Sequence, residues 1–200
     1  MIISEPKYAE QLAQLHISAL PESFLGSLGE GFLTLVYKQL ISDTEIITVA
    51  EIKDDKVVGF ITAGSGLRRI YFKLIWKPLP TMMALLRSRI SLQKLGGIVE
   101  VVRYTFSTRA PHKTAARTDI SSELYLLAVD PQYRRRGIAS KLLNELICSF
   151  SEAGIREFKV LVSEQLEGAQ KFYEGHGLER RSCFFHHGRY AIEYLKKIHD

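Results

Sequence analysis

ELYLLAVDPQYRRRGIASKLLNEL, residues 123–146, decides the reading of this chain. Glu123 to Val129 is a run of strand formers, Asp130 and Pro131 stop it, and from Gly137 onward apolar residues recur at helical spacing. The spacing predicts a strand, a tight turn and a helix. At the join, Arg134, Arg135 and Arg136 crowd the start of a helix whose unpaired amides and macrodipole already carry partial positive charge. Cations gathered there predict an anionic ligand. Gly137 lets the backbone approach such a ligand closely and Ala139 keeps the next position small, which suits a diphosphate resting on main-chain N–H groups.

Outward from this stretch, the pattern alternates helices and strands. On the N-terminal side, Ile2 to Ser4 reads as a short strand. Tyr8 to Leu20 reads as a helix with residues 8, 12, 15, 16 and 19 inward, stopped by Pro21. Phe24 to Gly31 reads as a turn. Phe32 to Ile41 reads as a second amphipathic helix, with Phe32, Leu33, Val36, Tyr37 and Leu40 inward. Ile46 to Ile52 and Val57 to Ala63 form a predicted hairpin around Lys53 to Lys56. On the C-terminal side come a helix from Gly137 to Ala153, a strand from Glu157 to Val162, and a helix from about Leu166 to Glu174 ended by Gly175 and Gly177. A last strand pair, Leu178 to Phe185 and Arg189 to Leu195, turns near His186 to Gly188.

The chain has 200 residues, 46% of them apolar, enough for one domain with a proper core. No linker, repeat or targeting segment is evident, and no apolar run could span a bilayer, so a soluble cytoplasmic protein is expected. Cys148 and Cys183 need no disulfide and are expected to pack inside. The net charge of +5 is uneven. Residues 67–118 hold eleven Lys or Arg against Glu100 alone, and the rest of the chain is net acidic. The basic character therefore belongs to one segment, and nucleic acid is not an expected partner. With helix-compatible runs at Thr81 to Ile90 and Leu92 to Tyr104, about 66–118 reads as a helical insertion.

LAVDPQYRRRGIASKLL resembles motif A of the GNAT-type N-acetyltransferases, whose Arg/Gln-x-x-Gly-x-Gly/Ala signature is met by Arg134, Gly137 and Ala139. AQKFYEGHGL, residues 169–178, resembles the family's second landmark, a helix bearing Phe-Tyr shortly before a Gly-apolar pair. The resemblance implies an α/β (α+β) fold: a mixed, mostly antiparallel sheet flanked by helices and splayed between the strands at about 120–129 and 157–162. It implies acetyl-CoA as cosubstrate in that gap, its pantetheine arm pairing with the backbone of Leu127, Ala128 and Val129. The amides from Arg135 through Arg136, Gly137, Ile138 and Ala139 to Ser140 would hold its pyrophosphate, behind Arg134. Leu166 stands where many relatives carry an Asn that contacts the cofactor, with Ser163 and Gln165 nearby.

By the same resemblance Tyr173 is the general acid, Glu123 the general base, directly or through water, and the Val129 N–H the donor to the thioester oxygen. The expected activity is direct acetyl transfer to a primary amine of a small molecule or peptide, without metal. The basic segment favours an anionic acceptor, such as a phosphorylated or nucleotide-linked amino sugar. A protein N-terminus or lysine stays open, as does a CoA-binding regulatory module without turnover. Residues 68–77, with Tyr71, Phe72 and Trp76 among cations, leave a membrane-surface contact or a homodimer open. His186 and His187, adjacent in a strand, make a poor metal pair, and His16 and His176 have no evident partners in sequence.

Overall fold

The computed structural model describes residues 5–21, 23–67, 69, 70, 73, 120–186 and 189–198. The expected strand at 2–4 and the helical runs of the basic insertion lie outside them. After a 3-10 turn at Pro6–Tyr8 come α1 (Ala9–Ala19), α2 (Phe24–Ser27) and α3 (Glu30–Ile41), then strands β1 (Ile46–Lys53) and β2 (Lys56–Gly64). The second half holds β3 (Glu123–Val129), α4 (Ile138–Glu152), β4 (Glu157–Ser163), α5 (Glu167–Gly175), β5 (Glu179–His186) and β6 (Arg189–Lys197).

The strands form one mixed sheet in the order β1-β2-β3-β4-β6-β5. Every neighbour pair is antiparallel except β3 with β4, whose parallel pairing needs a crossover, supplied by α4. That pair is also the shortest. Glu123 faces Lys159 and Leu124 faces Val160, and there the register ends, whereas β4 and β6 stay paired from Glu157 to Ser163. The predicted splay is present.

Alternation along the strands gives the sheet two apolar faces. Val49, Ile61, Leu124, Val160 and Val162 pack with Leu142, Leu143, Leu146 and Phe150 of α4. These α4 residues, with Ile138, recur at helical spacing and make one buried stripe. Phe150 meets Phe158 edge to face at 5.4 Å between ring centroids, and burying each ring contributes roughly 1.5–3 kcal/mol. On the other face, Ala50, Phe60 and Ala128 meet Leu12 and Leu15 of α1 and Leu33, Val36 and Tyr37 of α3. All five residues expected inward on α3 are buried.

Two local expectations fail. The predicted turn at 24–31 holds the single turn of α2, capped by Ser23, whose hydroxyl accepts from the Gly26 amide at 3.0 Å. The cysteines are free but exposed. Cys148 falls off the α4 stripe, and Cys183 lies on the sheet's edge strand.

Two cations of the basic segment, Arg69 and Lys73, are held by acidic groups of the core. Asp43, its side chain only 3% exposed, accepts from Arg69 and, at 3.0 Å, from the Lys73 ammonium. Arg69 also donates to Glu45 at 2.8 Å, and Ile70 beside it is fully buried. Burial alone would raise the Asp43 carboxyl, but the hydrogen bonds from Lys73, Arg69 and the Glu45 amide bring it below its ordinary value. A depressed carboxyl stabilises the fold above its unfolded value and loses that contribution as pH falls through its folded one. Arg69→Gln is therefore expected to lower the urea midpoint at neutral pH, because it leaves the buried Asp43 carboxylate short of a donor. The gap between variant and wild type should begin to narrow below about pH 4 and close as pH falls through the depressed folded value. Equal midpoints at pH 7 would show that the pair contributes nothing.

Among the described residues no helix is long and apolar enough to cross a membrane.

Candidate active site

The end of β3 and the start of α4 form one continuous surface beside the gap. The Asp130 amide donates to the Val58 carbonyl at 2.9 Å, so alternation turns the amides and carbonyls of Leu127 and Val129 away from β2. They face the side where β4 has parted, and the ladder to β4 stopped at Leu124. A bulge precedes them. Thr62 pairs with Leu126 and Ala63 with Leu124, leaving Tyr125 as the extra residue, its hydroxyl donating to the Gly64 carbonyl at 2.8 Å. The result is a short backbone edge inside the sheet, open to an extended ligand at Leu127 and at the Val129 amide, the Val129 carbonyl being taken by Arg134.

Asp130 ends the strand by accepting from the Gln132 amide at 2.9 Å and pairing with Lys56 at 3.2 Å. The Gln132 hydrogen bond first, and Lys56 with it, hold the carboxyl below its usual value against the opposing effect of burial. The chain then reverses through two left-handed residues, Arg135 at φ +60° and Gly137 at φ +76°. Gly137 is the N-cap of α4 and provides no side chain to cap it. The first intrahelical bond in the turn is from the Lys141 amide to the Gly137 carbonyl at 3.0 Å, so the amides of Ile138, Ala139 and Ser140 remain available. A Cβ built on Gly137 meets nothing within 4 Å, so the space beside this residue is open. This arrangement fits a diphosphate. The close seating of α4 depends on Gly59, where a Cβ would come within 2.8 Å of Ile138.

Of the three arginines, Arg134 is turned onto the protein. Its Nε donates to the Val129 carbonyl at 3.2 Å and its Nη2 to the Ala19 carbonyl at 3.3 Å, at the end of α1. It thus ties the loop to the helical wall on the opposite face, a role that spacing alone did not reveal. Arg136 lies 5.2 Å over the Tyr133 ring. Arg135 is exposed.

Tyr173 is buried at 5% exposure in the same apolar cluster as Leu124, Val160 and Val162, residues of the two strands that part. Burial raises its phenol well above the ordinary value, so it keeps its proton across the neutral range. Helix α5 is fixed on β6 by Tyr194, whose hydroxyl donates to Glu174 at 2.8 Å and is pushed up to about 12, first by burial and then by that carboxylate. Lys196 adds a bond to the His176 carbonyl at 2.8 Å. Glu123, half-buried, begins β3 in register with Gly64 and Lys159. Leu124 next to it packs with α4, so Glu123 faces the opposite side of the sheet from Tyr173. The two residues therefore flank the gap from its two faces. Leu166 immediately precedes α5 with its side chain 52% exposed and gives no capping bond.

His16 and His176, without evident partners in sequence, have partners in the fold. His16 is buried between the Tyr37 hydroxyl at 2.7 Å and the Ser23 hydroxyl at 2.9 Å, and burial pushes it down to about 4. His176 links α5 to Ser140. Among the described residues no cluster of His, Cys, Asp and Glu could hold a metal ion.

Residues 91–180 match the family model described as an acetyltransferase (GNAT) domain. No curated protein sequence matches the chain significantly. The fold is similar to that of an N-acetyltransferase from Staphylococcus aureus Mu50, with TM-score 0.58 and 19% identity over 98% of this chain and 100% of that one. It is similar to the ribosomal-protein-S18-alanine N-acetyltransferase from Escherichia coli, with TM-score 0.60 and 15% identity over 99% and 93%. An aminoglycoside 6'-N-acetyltransferase complexed with coenzyme A gives TM-score 0.58 and 17% identity over 98% and 93%.

Proposed function

We propose that this chain, whose residues 91–180 match a GNAT acetyltransferase domain model, moves the acetyl group of acetyl-CoA directly to a primary amine in a ternary complex. The observation that carries this reading is the open edge of Leu127 and Val129 running into the uncapped start of α4, with a buried, protonated Tyr173 beside both. Acetyl-CoA supplies an activated acyl group: its carbonyl carbon accepts the amine nitrogen, and the C–S bond breaks as the amide forms.

The residues divide the remaining work. The amides of Ile138, Ala139 and Ser140 hold the diphosphate, with Arg135 and Arg136 adding positive charge. The backbone of Leu127, Ala128 and Val129 aligns the pantetheine arm, and the Val129 N–H polarises the thioester oxygen. Tyr173 holds a proton at its hydroxyl for the departing sulfur. Glu123, from the other face, takes the proton that the amine loses, directly or through water.

The acceptor in this proposal is a small anionic amine such as a phosphorylated or nucleotide-linked amino sugar. Support comes from nine of the eleven Lys or Arg of residues 67–118. Arg69 and Lys73 add nothing to it, because Asp43 and Glu45 hold them. Thiol release from acetyl-CoA, followed across amines that differ only by a phosphate, tests the point. Faster turnover of the phosphorylated member at low salt is expected, with the advantage shrinking as salt rises. Turnover confined to peptides overturns the acceptor class, and no turnover with any amine points to a binding module.

Glu123→Gln is expected to lower kcat/KM and to remove the acid limb of its pH profile. A carboxylate base is active only when ionised, so activity falls as pH drops through its pKa. A superimposable profile would reduce Glu123 to a structural charge.

A further inference from the structure

His176 follows α5 and reaches the first turn of α4. Its Nδ1 lies 2.7 Å from the Phe172 carbonyl, which can only accept, so Nδ1 carries a hydrogen. Its Nε2 lies 3.0 Å from the Ser140 hydroxyl oxygen. In the neutral ring Nε2 is therefore an acceptor, and Ser140 must spend its one hydroxyl proton on it. Ser140 is the third residue of α4, beside the available amides at the helix start. With the proton turned to His176, its hydroxyl offers an anion only lone pairs.

Protonation reverses this. Both ring nitrogens then donate, Ser140 accepts from Nε2–H, and its own O–H is released to turn toward a phosphate oxygen. A positive charge appears beside the loop at the same time. We propose that His176 is a positioning residue for the cofactor diphosphate, acting through Ser140, and that its protonated form binds CoA more tightly. This rests on the CoA reading above.

The surroundings favour such coupling. The Lys196 ammonium from β6 lies 2.8 Å from the His176 carbonyl. On α4, Lys141 is paired with Glu51 at 2.7 Å, and the loop before it carries exposed Arg135 and Arg136. On α5, Glu174 is engaged by Tyr194, and the Phe172 ring lies 4.3 Å from the imidazole, tilted against it. Linkage makes the effect reciprocal: if protonation tightens CoA binding, bound CoA raises the pKa of His176 by the equivalent amount.

The test is an NMR titration of the full chain labelled with 15N-histidine, free and saturated with CoA, the His176 signal being assigned by its loss in His176→Gln. The His176 midpoint is expected to rise by about one unit or more on binding, equivalent to about tenfold tighter binding by the protonated form. In Ser140→Ala the rise should fall to less than half, leaving the purely Coulombic part. An unmoved midpoint, or the same rise in Ser140→Ala, overturns the proposal. Absence of any saturable shift on adding CoA is a different result, and defeats the cofactor reading itself.

Discussion

Tyr173→Phe is expected to lower kcat by about 10²–10⁴-fold while leaving acetyl-CoA affinity within error of wild type. The substitution removes one oxygen from a ring that is buried among Leu124, Val160 and Val162, so shape and apolar contacts survive. Among the described residues no bond holds the Tyr173 hydroxyl, and its loss breaks no structural network. Stability should therefore stay near wild type, which separates a chemical from a packing role. Burial keeps the phenol protonated far above neutral pH, so the wild-type rate should show no alkaline limb from this group below about pH 10. Steady-state turnover with calorimetric measurement of CoA binding checks both halves. Near wild-type turnover in the variant would show that Tyr173 only packs.

The gap itself was legible in the sequence because its parts are local. A strand that stops at Asp130 and Pro131 and a helical stripe from Gly137 onward each follow from short-range steric and periodic rules, and each stands where expected. What escaped notice joins residues distant in sequence. Arg134 bonds to Ala19, and His176 to Ser140. Arg69 belongs to the basic segment expected to favour an anionic acceptor, whereas it answers Asp43 and Glu45. Charge composition reveals that cations are clustered, but their partners depend on which turn the fold brings alongside. The Tyr125 bulge escaped for a similar reason: a run of strand formers does not disclose that its partner strand is one residue short. The cysteines were misplaced because helical phase, rather than residue type, decides whether position 148 faces the core.

Gly137→Val is expected to weaken CoA binding by at least about 10²-fold. Charge-assisted hydrogen bonds contribute about 1.5–3 kcal/mol each, and displacing the diphosphate from two amides of the α4 turn already exceeds that loss. The Cβ and both methyl groups would occupy the open space beside residue 137, where no protein atom lies within 4 Å of a built Cβ. A second effect accompanies the first. At φ +76° a β-branched residue is strained, at a cost of roughly 1–2 kcal/mol, so the variant should also unfold at a lower urea concentration. Gly137→Asn separates the two. Asn tolerates the left-handed region, so its stability should approach wild type, while its side chain still projects into the same space. Loss of CoA affinity in both variants, with stability lost chiefly in Val, is the signature of a blocked diphosphate site. If Asn binds CoA as wild type does, the defect in Val is one of backbone conformation. If Val itself retains wild-type affinity by calorimetry, the diphosphate does not rest on the start of α4.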